Sequence, residues 1–197
     1  MKNYSIEIKW SIIFVIVYLL WMVFEKLVGW HGEQIEKHGL YTNIFGLIAL
    51  GIYILAIRDK RNNYFNGIIT WRQGFVTGIV LTIIITAISP LSQYIVTTYI
   101  SPEYFDNMIE LSVNNNAMEQ EQAEAYFNLK SYIIQAVFSA LVMGVGTAAL
   151  AALIIRTNPE SRIKNQEIGQ KNISAPLLLT EMAGSQLKIT GKRSSFS

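Results

Sequence analysis

The string HGEQIEKH, residues 31–38, gathers side chains that bind metals and move protons: His31, Glu33, Glu36 and His38. Imidazole nitrogens and carboxylate oxygens are zinc donors. The helical zinc motif places two histidines four apart on one face, with a glutamate between them. Here the histidines are seven apart, with a glycine between. That spacing favours solvated loop residues, or groups titrating at the level of lipid headgroups, and no metal or cofactor is expected. A second polar locus comes from Pro90 and Gln93 in SPLSQY, with Gln135 further on. A proline inside a helix frees a carbonyl that must find another donor in lipid, and Ser89 or Ser92 can supply one. Broken helices with polar groups line transporter sites, whereas mutual hydrogen bonding is the simpler role. The nucleophile elbow, phosphate loop and dinucleotide fingerprint are all missing, so no catalytic residues are assigned and the chain is not expected to be an enzyme. With no cysteine among the 197 residues, disulfide and thiolate chemistry are excluded.

The elements that must carry these residues are long apolar runs. Half of the chain (51%) is hydrophobic and only 15% is charged. The apolar residues come in blocks rather than as one stripe per helix, the pattern of lipid-facing helices. Four spans are expected at about residues 10–29, 41–57, 75–100 and 132–155. The first requires Glu25 to lie at the interface. It is read as a retained anchor, because no small-residue cleavage site follows it. The predicted fold is all-α: a polytopic four-helix membrane domain over 1–156, with a short extracytoplasmic helical hairpin at 101–131 between spans three and four. In that hairpin Ser101 can cap a helix with Pro102 at its first position. The second arm is expected to run unbroken from Glu121 into span four as far as Gly144. Residues 157–197 are polar and read as a disordered cytoplasmic tail.

Lys2, Lys9, Arg58, Lys60, Arg61, Arg72, Arg156, Arg162 and Lys164 fall at one end of the spans, against Lys26, Lys37 and Lys130 at the other. The positive-inside rule then puts both termini in the cytoplasm. A net charge of +2 is too small to suggest nucleic-acid binding. Spans three and four also carry slender residues every four positions: Gly74, Gly78, Thr82, Thr86 and Pro90, and Ala136, Ala140, Gly144, Ala148 and Ala152. Such rows let helix backbones approach closely, within the bundle or between copies. A four-residue spacing drifts around the helix, so one straight contact cannot use every position.

The strings YSIEIKWSIIF, EKLVGWHGEQIEKH, LAIRDKRNNYFNGIITWRQGF, ISPLSQYIVTTYISPEYF and EAYFNLKSYIIQ resemble the DUF4199 family of small bacterial membrane proteins. The resemblance covers residues 1–156 and implies a four-helix protein of the bacterial inner membrane, without implying an activity. The expected function is that of a structural or accessory membrane component, in contact with lipid and with a second copy or a membrane-protein partner. The alternative is a small solute or ion transporter, acting as an oligomer through Pro90, Gln93 and Gln135.

Overall fold

The computed structural model describes residues 4–157, together with Ile163, Lys164, Glu167 and Ile168. The expectation of a disordered tail falls almost wholly outside the described residues. Between residues 4 and 157 seven α-helices follow in order: α1 (Ser5–Leu27), α2 (His38–Tyr41), α3 (Phe45–Asn63), α4 (Trp71–Ile95), α5 (Tyr104–Asn114), α6 (Gln120–Tyr126) and α7 (Leu129–Ile155). Tight 3₁₀ turns flank α2 and join it to α3, so that Ile35–Asn63 is one near-continuous rod. A π-turn over Val96–Ile100 prolongs α4.

Four of these rods, Ser5–Leu27, Ile35–Asn63, Trp71–Ile100 and Leu129–Ile155, are long and apolar enough to cross a membrane. Their outward faces are rich in large apolar side chains. Ile8, Ile12, Ile16 and Leu20 line one face of α1, and Phe138, Val142 and Met143 stand out from α7. Water would penalise so large an apolar surface, whereas lipid accepts it. The chain is a multi-pass membrane protein.

The helices pack as a ring in which α1 meets α3 and α4, and α7 meets α3 and α4, with the most extensive contact between α4 and α7. That contact uses three antiparallel rungs. A Cβ built on Gly74 would lie 3.2 Å from the Ala152 Cβ, one on Gly78 only 2.5 Å from the Ala148 Cβ, and one on Gly144 only 2.5 Å from the Thr82 Cγ2. Thr82 is held in place by donating to the Gly78 carbonyl (2.9 Å) and by a 2.8 Å hydrogen bond with the Tyr53 hydroxyl. The next small positions on α7, Ala140 and Ala136, line a half-open cavity of about 300 Å³ between α1, α3, α4 and α7. Below it lies the core of the bundle, around Tyr53, Ile57, Leu81, Ala148 and Ala151.

Charge enters this bundle at both ends. Glu7 and Lys60 are both buried and pair at 3.0 Å, and Asp59 accepts from Lys9 and from Trp10 Nε1. These pairs extend α1 to Ser5 and α3 to Asn63, beyond the apolar runs. Glu25, in the last turn of α1, is fully buried within the protein. The first span ends at Leu27, short of Trp30, because Gly29 takes φ +86° and closes the helix. Its N–H donates to the Lys26 carbonyl and that of Trp30 to the Glu25 carbonyl, the paired bonds of a Schellman turn.

The helix expected to be unbroken from Glu121 to Gly144 is in fact two. α6 stops at Tyr126, and Asn128 starts α7 by accepting from the Ser131 N–H at 3.0 Å. Phe127 (φ −89°, ψ 75°) sits in a tight turn closed by the Asn128 N–H donating to the Tyr126 carbonyl at 3.1 Å, and is buried. Asparagine at an N-cap outcompetes continuation of the helix through it. Ser101 also departs from expectation: its hydroxyl caps nothing, α5 begins at Tyr104, and the side chain is bonded elsewhere.

Candidate functional site

The ends of three spans converge on one buried group of side chains. Glu25 lies in the last turn of α1 and is 0% exposed. The Schellman turn at Gly29 folds the chain back so that His31 meets the carboxylate six residues before it, Nε2 to Oε2 at 3.1 Å. His38, the first residue of α2, brings Nδ1 to 3.3 Å from the same oxygen. That nitrogen is buried and close enough for an ion pair, yet it lacks the alignment of a hydrogen bond to any partner.

A surrounding shell fixes the three groups. Trp21 Nε1 donates to Glu25 Oε1 at 2.5 Å, which sets the plane of the carboxylate. The other ring nitrogen of His31 is 2.6 Å from the Ser101 hydroxyl, and Asn107 Nδ2 donates to the His31 carbonyl at 2.9 Å. Ser101 reaches this place because the π-turn widens the end of span three, its N–H donating to the Val96 carbonyl at 2.7 Å. Single π-turns of this kind recur at functional sites. Tyr104 packs edge-on against both imidazoles, at 5.4 Å from His31 and 5.3 Å from His38. Burial pushes the Tyr104 hydroxyl well above the ordinary phenol range, with neighbouring Tyr132 and the charge of Glu25 adding to the effect. Tyr104 is therefore a neutral wall. Beside His31 a cleft of about 440 Å³ opens between the Gly29 turn and α5.

Of the residues singled out in HGEQIEKH, His31 and His38 come together, while Glu33 and Glu36 are exposed. Neither histidine is a solvated loop residue, since His31 is 5% exposed and the His38 side chain 17%. The carboxylate that joins them is Glu25, from a different element. The sequence carried a signal for it: Gly29 after an apolar run marks a helix stop, and a stop there reverses the chain onto α1.

The second locus divides. Gln93, Ser89 and Ser92 line the cavity among the four spans. Pro90 stays inside an unbroken α4, and the carbonyl it deprives, that of Thr86, accepts from the Ser89 hydroxyl at 2.9 Å. Gln135 is not in the cavity lining; its amide oxygen accepts from the Tyr126 hydroxyl at 3.3 Å. The proposed trio therefore does not form one site.

A model of the family described as "Protein of unknown function (DUF4199)" matches residues 9–157 of the 197. No curated protein and no solved structure matches the chain. The match spans all four membrane helices and includes Glu25, His31, His38 and Ser101.

Proposed function

Because the chain belongs to the DUF4199 family, whose description carries no activity, we propose a role from the geometry: a non-enzymatic accessory component of the bacterial inner membrane that presents an acidic hairpin outside the cell membrane. The observation that carries this reading is the distribution of charge on α5 and α6. Glu103, Asp106, Glu110, Glu119, Glu121 and Glu124 are all exposed, and no lysine or arginine lies on α5, on α6 or in the turn between them. The Glu25 group ties that hairpin to the membrane helices through Ser101, Tyr104 and Asn107. A rigidly mounted acidic surface suits a basic protein partner or a basic segment of one. At the opposite end stand Lys9, Arg58, Lys60, Arg61, Arg72 and Arg156, against Lys26, Lys37 and Lys130 at the hairpin end. This bias supports cytoplasmic termini and an external hairpin.

Site-specific photo-crosslinking tests the role. A photoreactive phenylalanine analogue in place of Glu121, on the hairpin, should give one discrete protein adduct in native membranes. The same probe at Phe138, on the outer face of α7, should give none of that mass. Absence of any adduct from Glu121 and its hairpin neighbours would overturn the reading. The cavity lined by Ser89, Ser92 and Gln93 favours a second one, passage of a small polar solute. Solute flux into proteoliposomes that falls at least tenfold in Gln93→Ala would establish it in place of the first.

A further inference from the structure

We infer that Glu25, His31 and His38 form a binding site for a divalent first-row transition-metal ion, with zinc(II) as the natural probe. Each of the three offers one donor atom, and these atoms all lie within 4.8 Å of one another. Zinc holds nitrogen and oxygen donors at about 2.0–2.1 Å, so donors in a tetrahedral site stand about 3.3 Å apart. The Glu25 oxygen lies 3.1 Å from the His31 donor and 3.3 Å from the His38 donor, close to two of the three edges of such a site, and the two histidine donors lie within 4.8 Å of each other.

The hydrogen-bonding pattern points the same way. In the tautomer with the proton on His31 Nδ1, that N–H donates to the Ser101 hydroxyl at 2.6 Å, and the lone pair of Nε2 faces the carboxylate. Two lone pairs facing each other repel unless a proton or a cation lies between them. His38 Nδ1 is a buried polar atom with no hydrogen-bond partner, 3.3 Å from the same carboxylate oxygen. One cation satisfies all three donors at once. The surroundings match those of metal ligands, whose orientation is fixed by outer hydrogen bonds: Ser101 on His31, and Trp21 on the distal oxygen of Glu25. Two nitrogens in the set select against calcium and magnesium, which take oxygen ligands. Three protein ligands leave a position for water or an exogenous ligand, and a cleft lined by His31 and Ser101, though by neither Glu25 nor His38, opens beside the group.

This inference is independent of the acidic hairpin's partner and of the orientation in the membrane. Its test uses the full chain, purified in detergent, stripped with chelator, incubated with zinc(II) and freed of excess. Metal analysis should find about one zinc per chain, and cobalt(II) should give the visible absorption of a four- or five-coordinate nitrogen–oxygen site. His38→Ala and His31→Ala should each lower retained zinc at least tenfold while keeping the wild-type helical spectrum and elution volume. Glu33→Gln with Glu36→Gln, which alters only exposed carboxylates of the same loop, should retain full binding. If a histidine variant fails to fold, the isosteric Glu25→Gln and the wild-type cobalt spectrum decide. Wild-type retention below a tenth of an ion per chain overturns the inference, as does retention unchanged in the folded histidine or Glu25→Gln variants.

Discussion

Gly78→Leu combined with Gly144→Leu is expected to unfold the bundle, with a loss of about 3 kcal/mol at each site. The expectation follows from distance. A bare Cβ at either position would already lie 2.5 Å from an atom of the facing helix, Ala148 Cβ in one case and Thr82 Cγ2 in the other. Neither neighbour can step aside. Ala148 is fully buried with backbone atoms next in line, the nearest 3.0 Å from the built Cβ. Thr82 is tied to Gly78 and Tyr53 by hydrogen bonds. The helices must separate, and α4 against α7 is the main contact of the fold. Gly146, on the same helix, would meet nothing within 4 Å. Gly146→Ala should therefore be neutral or stabilising, since alanine is the better helix former by about 1 kcal/mol. Thermal unfolding in detergent, followed by circular dichroism, separates the cases; equal midpoints for the double variant and the wild type would refute the packing.

The second large effect concerns the other end of the bundle. Lys60→Met should destabilise the protein by about 3 kcal/mol, the cost of leaving one member of a buried ion pair alone. The Lys60 ammonium contacts both oxygens of Glu7, at 3.0 and 3.1 Å, and lies 4.1 Å from the centre of the Tyr64 ring. Glu7 is 3% exposed, so its carboxylate cannot turn to water when the lysine is removed. Replacing both residues, Glu7→Leu with Lys60→Met, should restore most of the loss, because a well-packed apolar pair costs no desolvation. Denaturation by increasing mole fractions of a denaturing detergent would give the double-mutant cycle. Additive losses, with no recovery in the double variant, would contradict the pairing.

Much of the architecture was legible in the sequence, for a physical reason. A bilayer imposes one length and one polarity on every segment that crosses it, and that constraint is local. The runs ending near Phe24, Ile57, Ile100 and Ile155 therefore announced four helices without reference to contacts between them. The family resemblance pointed to the same architecture. Contacts between segments were harder to read. Glu25 reads as interfacial because an ionised side chain in an apolar run ordinarily seeks water, and the one local cue, the helix stop at Gly29, does not say which side chains fold back over it. Their spacing matched no helical template, because Gly29 and a 3₁₀ turn, rather than one helix, place them. Ser101 looked like a cap for the following helix, and the π-turn redirected it to His31. At Asn128 a local capping preference was present in the sequence, but the apolar periodicity on either side masked it.

We propose that the bundle crosses the membrane with its Glu25 group and acidic hairpin outside. The absence of native cysteine makes single labels clean. Asn115→Cys lies in the turn after α5 and Asn63→Cys at the end of α3, on exposed residues at opposite ends of the spans. In intact cells a membrane-impermeant thiol reagent should label Asn115→Cys and spare Asn63→Cys until the membrane is permeabilised. Labelling of Asn63→Cys in intact cells, with Asn115→Cys protected, would reverse the orientation and contradict the account.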